Sequence, residues 1–339
     1  MERSDILFDK SSSKSKNIFN LCNKKLKLAT IDIGSNAVRL LISEVRSDEP
    51  NLQNLHKLNY FRVPVRLGFD VFESGFISNQ RTEMLIQTLK AFRHLINAYG
   101  VDHVMVCATS AMRDASNAHL ICKTVFEKTG LNIEIISGET EAKLLFENHI
   151  AETLEPDTTY MYIDVGGGST EISVFHQQKL AFNQSYNVGT IRLLKEHVAE
   201  EVWSQLKSDI KQCYKSFGSM VGIGSGGNIN KVFSLSKRKE GKPINLQTLK
   251  NYLHEMSMLS NDERIKLYQI RSDRADVIVP ALQIYVQVMR WGGIEEILVP
   301  KIGLVDGLTH HLWTHLEESK RLFPNNLSDF QIEAGTPYF

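Results

Sequence analysis

The sequence predicts an α/β protein built from two related lobes with a cleft between them, and three observations carry that prediction. Apolar, strand-like runs alternate with segments of helical spacing, the pattern of a sheet covered by helices. A short motif, Ile31-Asp32-Ile33-Gly34, returns as Ile163-Asp164-Val165-Gly166, 132 residues further on. The length of 339 residues exceeds what one small domain needs and suits two, each able to bury its own core.

The stretch from Met1 to about Lys27 contains SSSKSK and scattered lysines without an apolar period, so it reads as a basic tail. Structure is expected to begin at LKLATIDIG, a strand and tight turn, and to return as a strand over Val38 to Val45. Ser78 to Ala98 has helical spacing with Ser78 as N-cap, HVMVCATS reads as a buried strand, Ala118 to Thr129 as a helix closed by Gly130, and NIEIIS as another strand. In both copies of the repeat a strand meets an acidic residue, turns on glycine and returns as a strand (AVRLLISEV, then TEISVF), which is a β-hairpin. Further on, Thr190 to His197 and Asn251 to Leu267 read as helices. SMVGIGSGGNINKVF reads as strand, glycine turn and helix start, and ADVIVPALQIYVQVMRW as a core helix that Pro280 should kink or restart. The expected division is a tail over 1–26, a first lobe over 27–145, a second lobe over 146–318 whose last helix is free to return to the first, and a tail over 319–339.

Lys plus Arg and Asp plus Glu balance at 39 each, which argues against a dedicated nucleic-acid binder. The four cysteines (Cys22, Cys107, Cys122, Cys213) form no Cys-x-x-Cys pair and indicate neither a zinc site nor a disulfide framework. No apolar run approaches the roughly 20 residues that span a bilayer, and no secretion signal is evident. The expectation is a cytoplasmic protein with neither DNA nor membrane as partner.

Three turns are rich in Gly, Ser and Asn: Gly34-Ser35-Asn36, Gly166-Gly167-Gly168-Ser169 and Gly224-Ser225-Gly226-Gly227-Asn228. Glycine lets backbone approach a ligand closely, and successive free N–H groups in such turns form anion-binding concavities. One such turn alone is as well explained by tight turning; three, each after an apolar strand, point to a polyphosphate. No GxxxxGK[ST] sequence occurs, so a Walker-type site is excluded. Asp32 and Asp164 end the strands before two of these turns, and Glu171 begins the strand after the second, so these three are the candidate metal ligands, their oxygens suiting Mg²⁺ (or Mn²⁺). Glu139 and Glu141 begin a helix, where acids favour the dipole; a Glu141 that leans into the cleft has the chemistry of a general base. Thr109, Ser110 and Arg113 in CATSAMRDASN, with Arg39, are candidate phosphate contacts, since a guanidinium forks onto phosphate oxygens. Arg39, Arg66, Arg113 and Lys143 could build a local basic patch.

Together these motifs resemble the exopolyphosphatase and guanosine pentaphosphate phosphatase family (Ppx/GppA), relatives of actin, sugar kinases and chaperone ATPase domains. The resemblance rests on IDIGSNAVRLLI, VRLG, ATSAMRDASN, IISGETEA, IDVGGGSTEIS, the GSGG turn and RADVI, and spans roughly Leu26 to Leu316. It implies two ribonuclease-H-like domains of the actin-like ATPase superfamily around an interdomain cleft, and Mg²⁺-dependent release of terminal phosphate from polyphosphate, or conversion of pppGpp to ppGpp. It also implies a homodimer, Glu141 as base, and Asp164 and Glu171 as metal and water ligands. Departures at Thr140, at Asn228 and in GLVDGL bear on substrate preference more than on the reaction. Two other readings fit the same turns: a kinase or ATPase of that superfamily, and a non-catalytic sensor of (p)ppGpp or polyphosphate.

Overall fold

A computed structural model describes residues 25–46, 54–147, 155, 157–300 and 303–322. The expected N-terminal tail up to residue 24 and the C-terminal tail from residue 323 lie outside the described residues.

In chain order the first lobe holds β1 (Lys27–Ile33), β2 (Val38–Val45), β3 (Leu55–Val63), α1 (Gly68–Ser74), α2 (Asn79–Tyr99), β4 (His103–Ala108), α3 (Ser110–Asp114), α4 (Ala118–Thr129), β5 (Glu134–Ile135) and α5 (Gly138–Glu147). The second holds β6 (Tyr160–Val165), β7 (Thr170–His176), β8 (Lys179–Tyr186), α6 (Thr190–Leu194), α7 (Glu200–Phe217), β9 (Val221–Ser225), α8 (Gly227–Leu235), β10 (Ile244–Asn245), α9 (Leu246–Ser257), α10 (Asn261–Tyr268), α11 (Ser272–Ala275), α12 (Ile278–Trp291) and β11 (Glu296–Leu298), followed by α13 (Leu304–Leu322).

The motif repeat is a structural repeat. The first sheet runs β3-β2-β1-β4-β5 and the second β8-β7-β6-β9-β11, extended by β10. In each, the first two pairings are antiparallel and the next two parallel. The registers also correspond: Asp32 faces Arg39 across the first hairpin, and Asp164 faces Glu171 across the second. Both turns close the same way, Gly34 N–H donating to the Ala37 carbonyl at 3.1 Å and Gly166 N–H to Ser169 at 2.9 Å.

Each sheet buries its own apolar face. Ile31, Ile33, Leu40, Leu85, Leu89 and Val106 centre the first core, and Ile163, Val174, Ile210, Ile284 and Met289 the second. A third cluster joins them: Leu28 and Cys107 of the first sheet and Tyr162 and Ile223 of the second meet Leu308, Leu312 and the fully buried Trp313 of α13. That helix lies on β1, β2 and α5, and Thr30 hydrogen-bonds both the Val305 carbonyl (3.0 Å) and Thr309 (2.8 Å). Burial of several large side chains at roughly 2 kcal/mol apiece makes this shared cluster a strong tie between the lobes.

Most predicted elements appear as expected. Ser78 accepts from the Arg81 N–H at the start of α2, and Gly130, at φ 66°, ends α4. Three readings need correction. Asn251 to Leu267 is two helices, because Ser260 and Glu263 form a reciprocal capping box that starts α10. NIEIIS pairs only over Glu134–Ile135, and the helix at Thr190 ends at Leu194. Of the two outcomes expected at Pro280, a restart is what is found: α12 begins at Ile278 and Pro280 falls in its first turn, where its missing N–H has no partner to lose. β3 and β8 were not read from the sequence: their half-exposed faces blur the alternation that marks a strand.

Candidate active site

The three glycine turns converge at the ends of β1, β6 and β9 on one cavity of about 440 Å³ between the lobes. Its lining includes Asp32, Gly34, Ser35, Asn36 and Arg39 from the first hairpin, and Asp164, Gly166, Gly167 and Ser169 from the second. Ser225, Gly226, Gly227 and Asn228 come from the third turn, with Thr109, Ser110 and Glu141 beside them.

At its floor Glu141, Asp164 and Glu171 each offer a carboxylate oxygen, and these oxygens lie within 4.8 Å of one another. Three elements supply them: the first turn of α5, the end of β6 and the start of β7. Glu171 is buried, and its Oε1 accepts hydroxyl hydrogen bonds from Ser169 (2.6 Å) and Ser185 (2.9 Å), which fix the carboxylate. Glu141 is held by Arg113, whose Nη1 donates to its Oε2 at 3.1 Å and to the Ile136 carbonyl at 2.8 Å.

Crowding three carboxylates together has an electrostatic consequence. Burial and then Glu171 push Glu141 well above the usual carboxylate range, against the pull of Arg113. The same two causes raise Asp164 to about 7, with Arg39 opposing. Burial raises Glu171, against its serine donors. Hard oxygen donors in mutual repulsion are the ligand set that a divalent cation such as Mg²⁺ or Mn²⁺ suits, since its charge removes the repulsion.

Asp32 stands apart from that group. Its Oδ2 forms an ion pair with Arg39 across the hairpin, so the expectation that it joins the metal ligands differs from its placement. Burial raises its pKa and Arg39 lowers it, so its charge already has a partner within the first lobe. Gly168 and Gly224 also sit off the cavity. A Cβ on Gly168 would meet Phe72 and Ser110 at 2.3 Å, and one on Gly224 would meet Ile297 at 2.8 Å, so both serve close packing.

Several cavity residues were not singled out from the sequence. Lys57, Tyr60 and Arg62 come from β3, Arg274 from α11 and Asp306 from α13. RADVI, one of the motifs noted above, was the available signal for Arg274, while the unread β3 concealed Arg62. Of the proposed basic patch, Arg66 is held outside the cavity by Asp276 and the Phe69 ring.

The chain is similar in sequence and fold to known proteins. The chain is 28% identical over 296 residues to a bifunctional 3-dehydroquinate synthase/phosphatase of Fusobacterium nucleatum, a match covering 80% of this chain and 44% of that protein. It is 23% identical over 303 residues to a guanosine-5'-triphosphate,3'-diphosphate pyrophosphatase of Vibrio vulnificus, covering 86% of this chain and 60% of that one. The chain thus spans about half of the length of these curated relatives. Among solved structures, the Aquifex aeolicus Ppx/GppA family member superposes with a TM-score of 0.67 at 25% identity, covering 87% of this chain and 99% of that chain. An exopolyphosphatase from Cytophaga hutchinsonii shares the fold at a TM-score of 0.75 and 22% identity, covering 85% of this chain and 98% of that chain. The sequence profile of the Ppx/GppA phosphatase family matches residues 42–314, so the chain belongs to that family.

Proposed function

We propose that this protein is a metal-dependent phosphohydrolase that releases the terminal phosphate of inorganic polyphosphate, of pppGpp, or of both. The observation that carries this reading is the group of three carboxylates, Glu141, Asp164 and Glu171, at the point where glycine turns of both lobes converge. Asp164 and Glu171, with Glu141 beside them, would hold Mg²⁺ or Mn²⁺, which would supply charge neutralisation at the phosphate oxygens.

The chain's own residues account for the rest. Backbone N–H groups of the glycine turns and the hydroxyls of Ser35 and Ser110 line the space where the terminal phosphate sits. Glu141 accepts a proton from water as its oxygen attacks the terminal phosphorus, and the bond to the bridging oxygen breaks, leaving the shortened chain with that oxygen. Arg113, donating to Glu141 Oε2, keeps the carboxylate aimed. The names of the relatives support phosphate chemistry, and a base that accepts a proton from water favours hydrolysis over transfer to a second substrate.

Phosphate release from tripolyphosphate, long polyphosphate, pppGpp and ATP, measured with Mg²⁺ or Mn²⁺ and again with EDTA, tests the reading. Release is expected to vanish with EDTA and to fall at least about a thousandfold in Glu141→Gln while substrate binding persists. Tight binding without release from any substrate would instead support a sensor.

A further inference from the structure

A second cavity, of about 780 Å³, opens at the β5 edge of the first sheet and has the size of a small-molecule site. Its walls come from α3, α4 and the chain entering β5. His119, Cys122, Lys123 and Phe126 follow one another at three- and four-residue spacing, so they form one stripe along α4. Ile133 and Ile135, two apart on the chain through β5, supply an apolar wall. Phe126 is 42% exposed and Ile135 38%, so both leave apolar surface uncovered.

The charge in this groove has one sign. Among the described residues its lining holds Arg113, His119 and Lys123 and no Asp or Glu. Neither His119 nor Lys123 forms a hydrogen bond or ion pair with any described residue. Burial pushes the Cys122 thiol up, so it stays neutral. Asp114, the acid next to Arg113 in sequence, is paired with Arg192. Unspent donors beside apolar surface, without counter-charge, suit a ligand that has an anionic head and an apolar body.

Arg113 links this groove to the reacting centre. Its Nη1 makes both of its hydrogen bonds, to the Ile136 carbonyl and to Glu141 Oε2, so Nε and Nη2 have no partner among the described residues. Glu141 lines the cavity between the lobes and Arg113 lines the groove, so this ion pair spans the partition between the two spaces. An anion in the groove offers Arg113 a second acceptor and competes with Glu141 for it.

We propose that this groove binds a small organic anion, a carboxylate or sulfonate on an apolar body, and that the bound anion weakens the hold of Arg113 on Glu141. The site stands on its own geometry, while its effect on turnover rests on the hydrolase reading above. Occupancy lowers kcat and leaves KM nearly unchanged, because the two spaces share no lining residue.

The test titrates the full chain with 8-anilinonaphthalene-1-sulfonate, a fluorescent probe of this chemistry, in wild type and Lys123→Glu. Lys123 is exposed and has no partner to lose, so the variant should keep the wild-type melting temperature and basal turnover. Its affinity for the probe is expected to fall at least about tenfold, the loss of one charge-assisted contact. Octanoate should displace the probe from wild type, whereas octanol, which lacks the charge, and acetate, which lacks the body, should not. In assays of phosphate release from tripolyphosphate, saturating octanoate is expected to lower kcat about fivefold or more in wild type and to leave Lys123→Glu unaffected. Absence of saturable binding, unchanged affinity in Lys123→Glu, or equal displacement by octanol would overturn the site. Binding that leaves kcat untouched would overturn the link to Glu141. If no substrate is cleaved, the hydrolase reading falls while the titration still decides the site. The link is then read from Mn²⁺ affinity, which octanoate should raise about fivefold by freeing Glu141 from its counter-charge and which stays unchanged if there is no link.

Discussion

The two hairpins share topology, turn closure and register, and the aspartates that end their first strands face residues of opposite charge. In the first, Asp32 faces Arg39; in the second, Asp164 faces Glu171. The first pair cancels its charge internally and needs no ligand. The second pair doubles its negative charge, Glu141 adds to it from α5, and the result is a site that calls for a cation. One substitution of sign across equivalent positions thus separates a structural ion pair from a chemical centre, on a backbone that is otherwise repeated.

Removing the charge that distinguishes the second hairpin should have the largest effect. Glu171→Gln keeps an oxygen to accept from Ser169 and Ser185 but leaves Asp164 facing a neutral amide. Mn²⁺ affinity by calorimetry is expected to fall at least about tenfold and phosphate release about a thousandfold. Retention of both would mean that the contrast between the hairpins is not what localises the metal.

The mirror experiment, Arg39→Gln, leaves Asp32 buried without its counter-charge. A loss of about 3 kcal/mol in urea unfolding is expected, as for other broken buried pairs. Because the defect lies in the unneutralised carboxylate, the double variant Asp32→Asn with Arg39→Gln should recover most of it, with Mn²⁺ affinity largely kept. A loss of metal binding equal to that of Glu171→Gln would show that both hairpins hold the ion.

A pH titration of the metal-free protein sharpens the comparison further. Asp164 is raised from 3.8 to about 7, so the folded state holds a proton there that the unfolded chain has released. Its contribution is therefore full below the unfolded value and is lost as pH rises from about 4 to about 7. With EDTA the melting temperature should be several degrees lower at pH 8 than at pH 5.5, and Mg²⁺ should restore it at pH 8 by binding the ionised carboxylates. Asp164→Asn should remove part of this dependence, the raised Glu141 and Glu171 carrying the rest, and Asp32→Asn should remove less.

Much of this contrast was readable in the sequence. Ile-Asp-x-Gly recurs, and counting on from each Asp by the same interval reaches Arg39 in one copy and Glu171 in the other. The clue to Asp32's pairing was thus present, but it becomes decisive only once the strands are known to face each other in register. Other parts needed the folded chain. Arg62 and Arg274 are some two hundred residues apart in sequence, on a strand with blurred alternation and a four-residue helix, and only closure of the lobes sets them side by side. Trp313 gave no sign of its burial between the sheets, because α13 is amphipathic in a way that fits any partner face.

The smallest effects should come from the two bridges by which each lobe reaches the other. After β3, the Arg66 N–H donates to the Asn36 carbonyl at 3.0 Å, and its guanidinium lies 3.7 Å over Phe69 and pairs with Asp276 of the second lobe. After β8, Arg192 donates from Nε to the Gly168 carbonyl at 2.7 Å, lies 4.2 Å over Phe72 and pairs with Asp114 of the first lobe. Each bridge braces its own glycine turn while crossing the cleft. Both ion pairs are partly solvated, so each is expected to contribute only about 1 kcal/mol or less to stability. Their effect on turnover should still be visible, because Arg192 orients the Gly168 peptide beside Ser169. Arg192→Ala is expected to lower kcat about tenfold, and Arg66→Ala less, since it touches no residue next to the carboxylates. If the bridges act through one shared closure, the double variant should lose less than the product of the single effects, because the first loss already parts the lobes. Strictly multiplicative losses would show instead that each arginine serves only the turn on its own side.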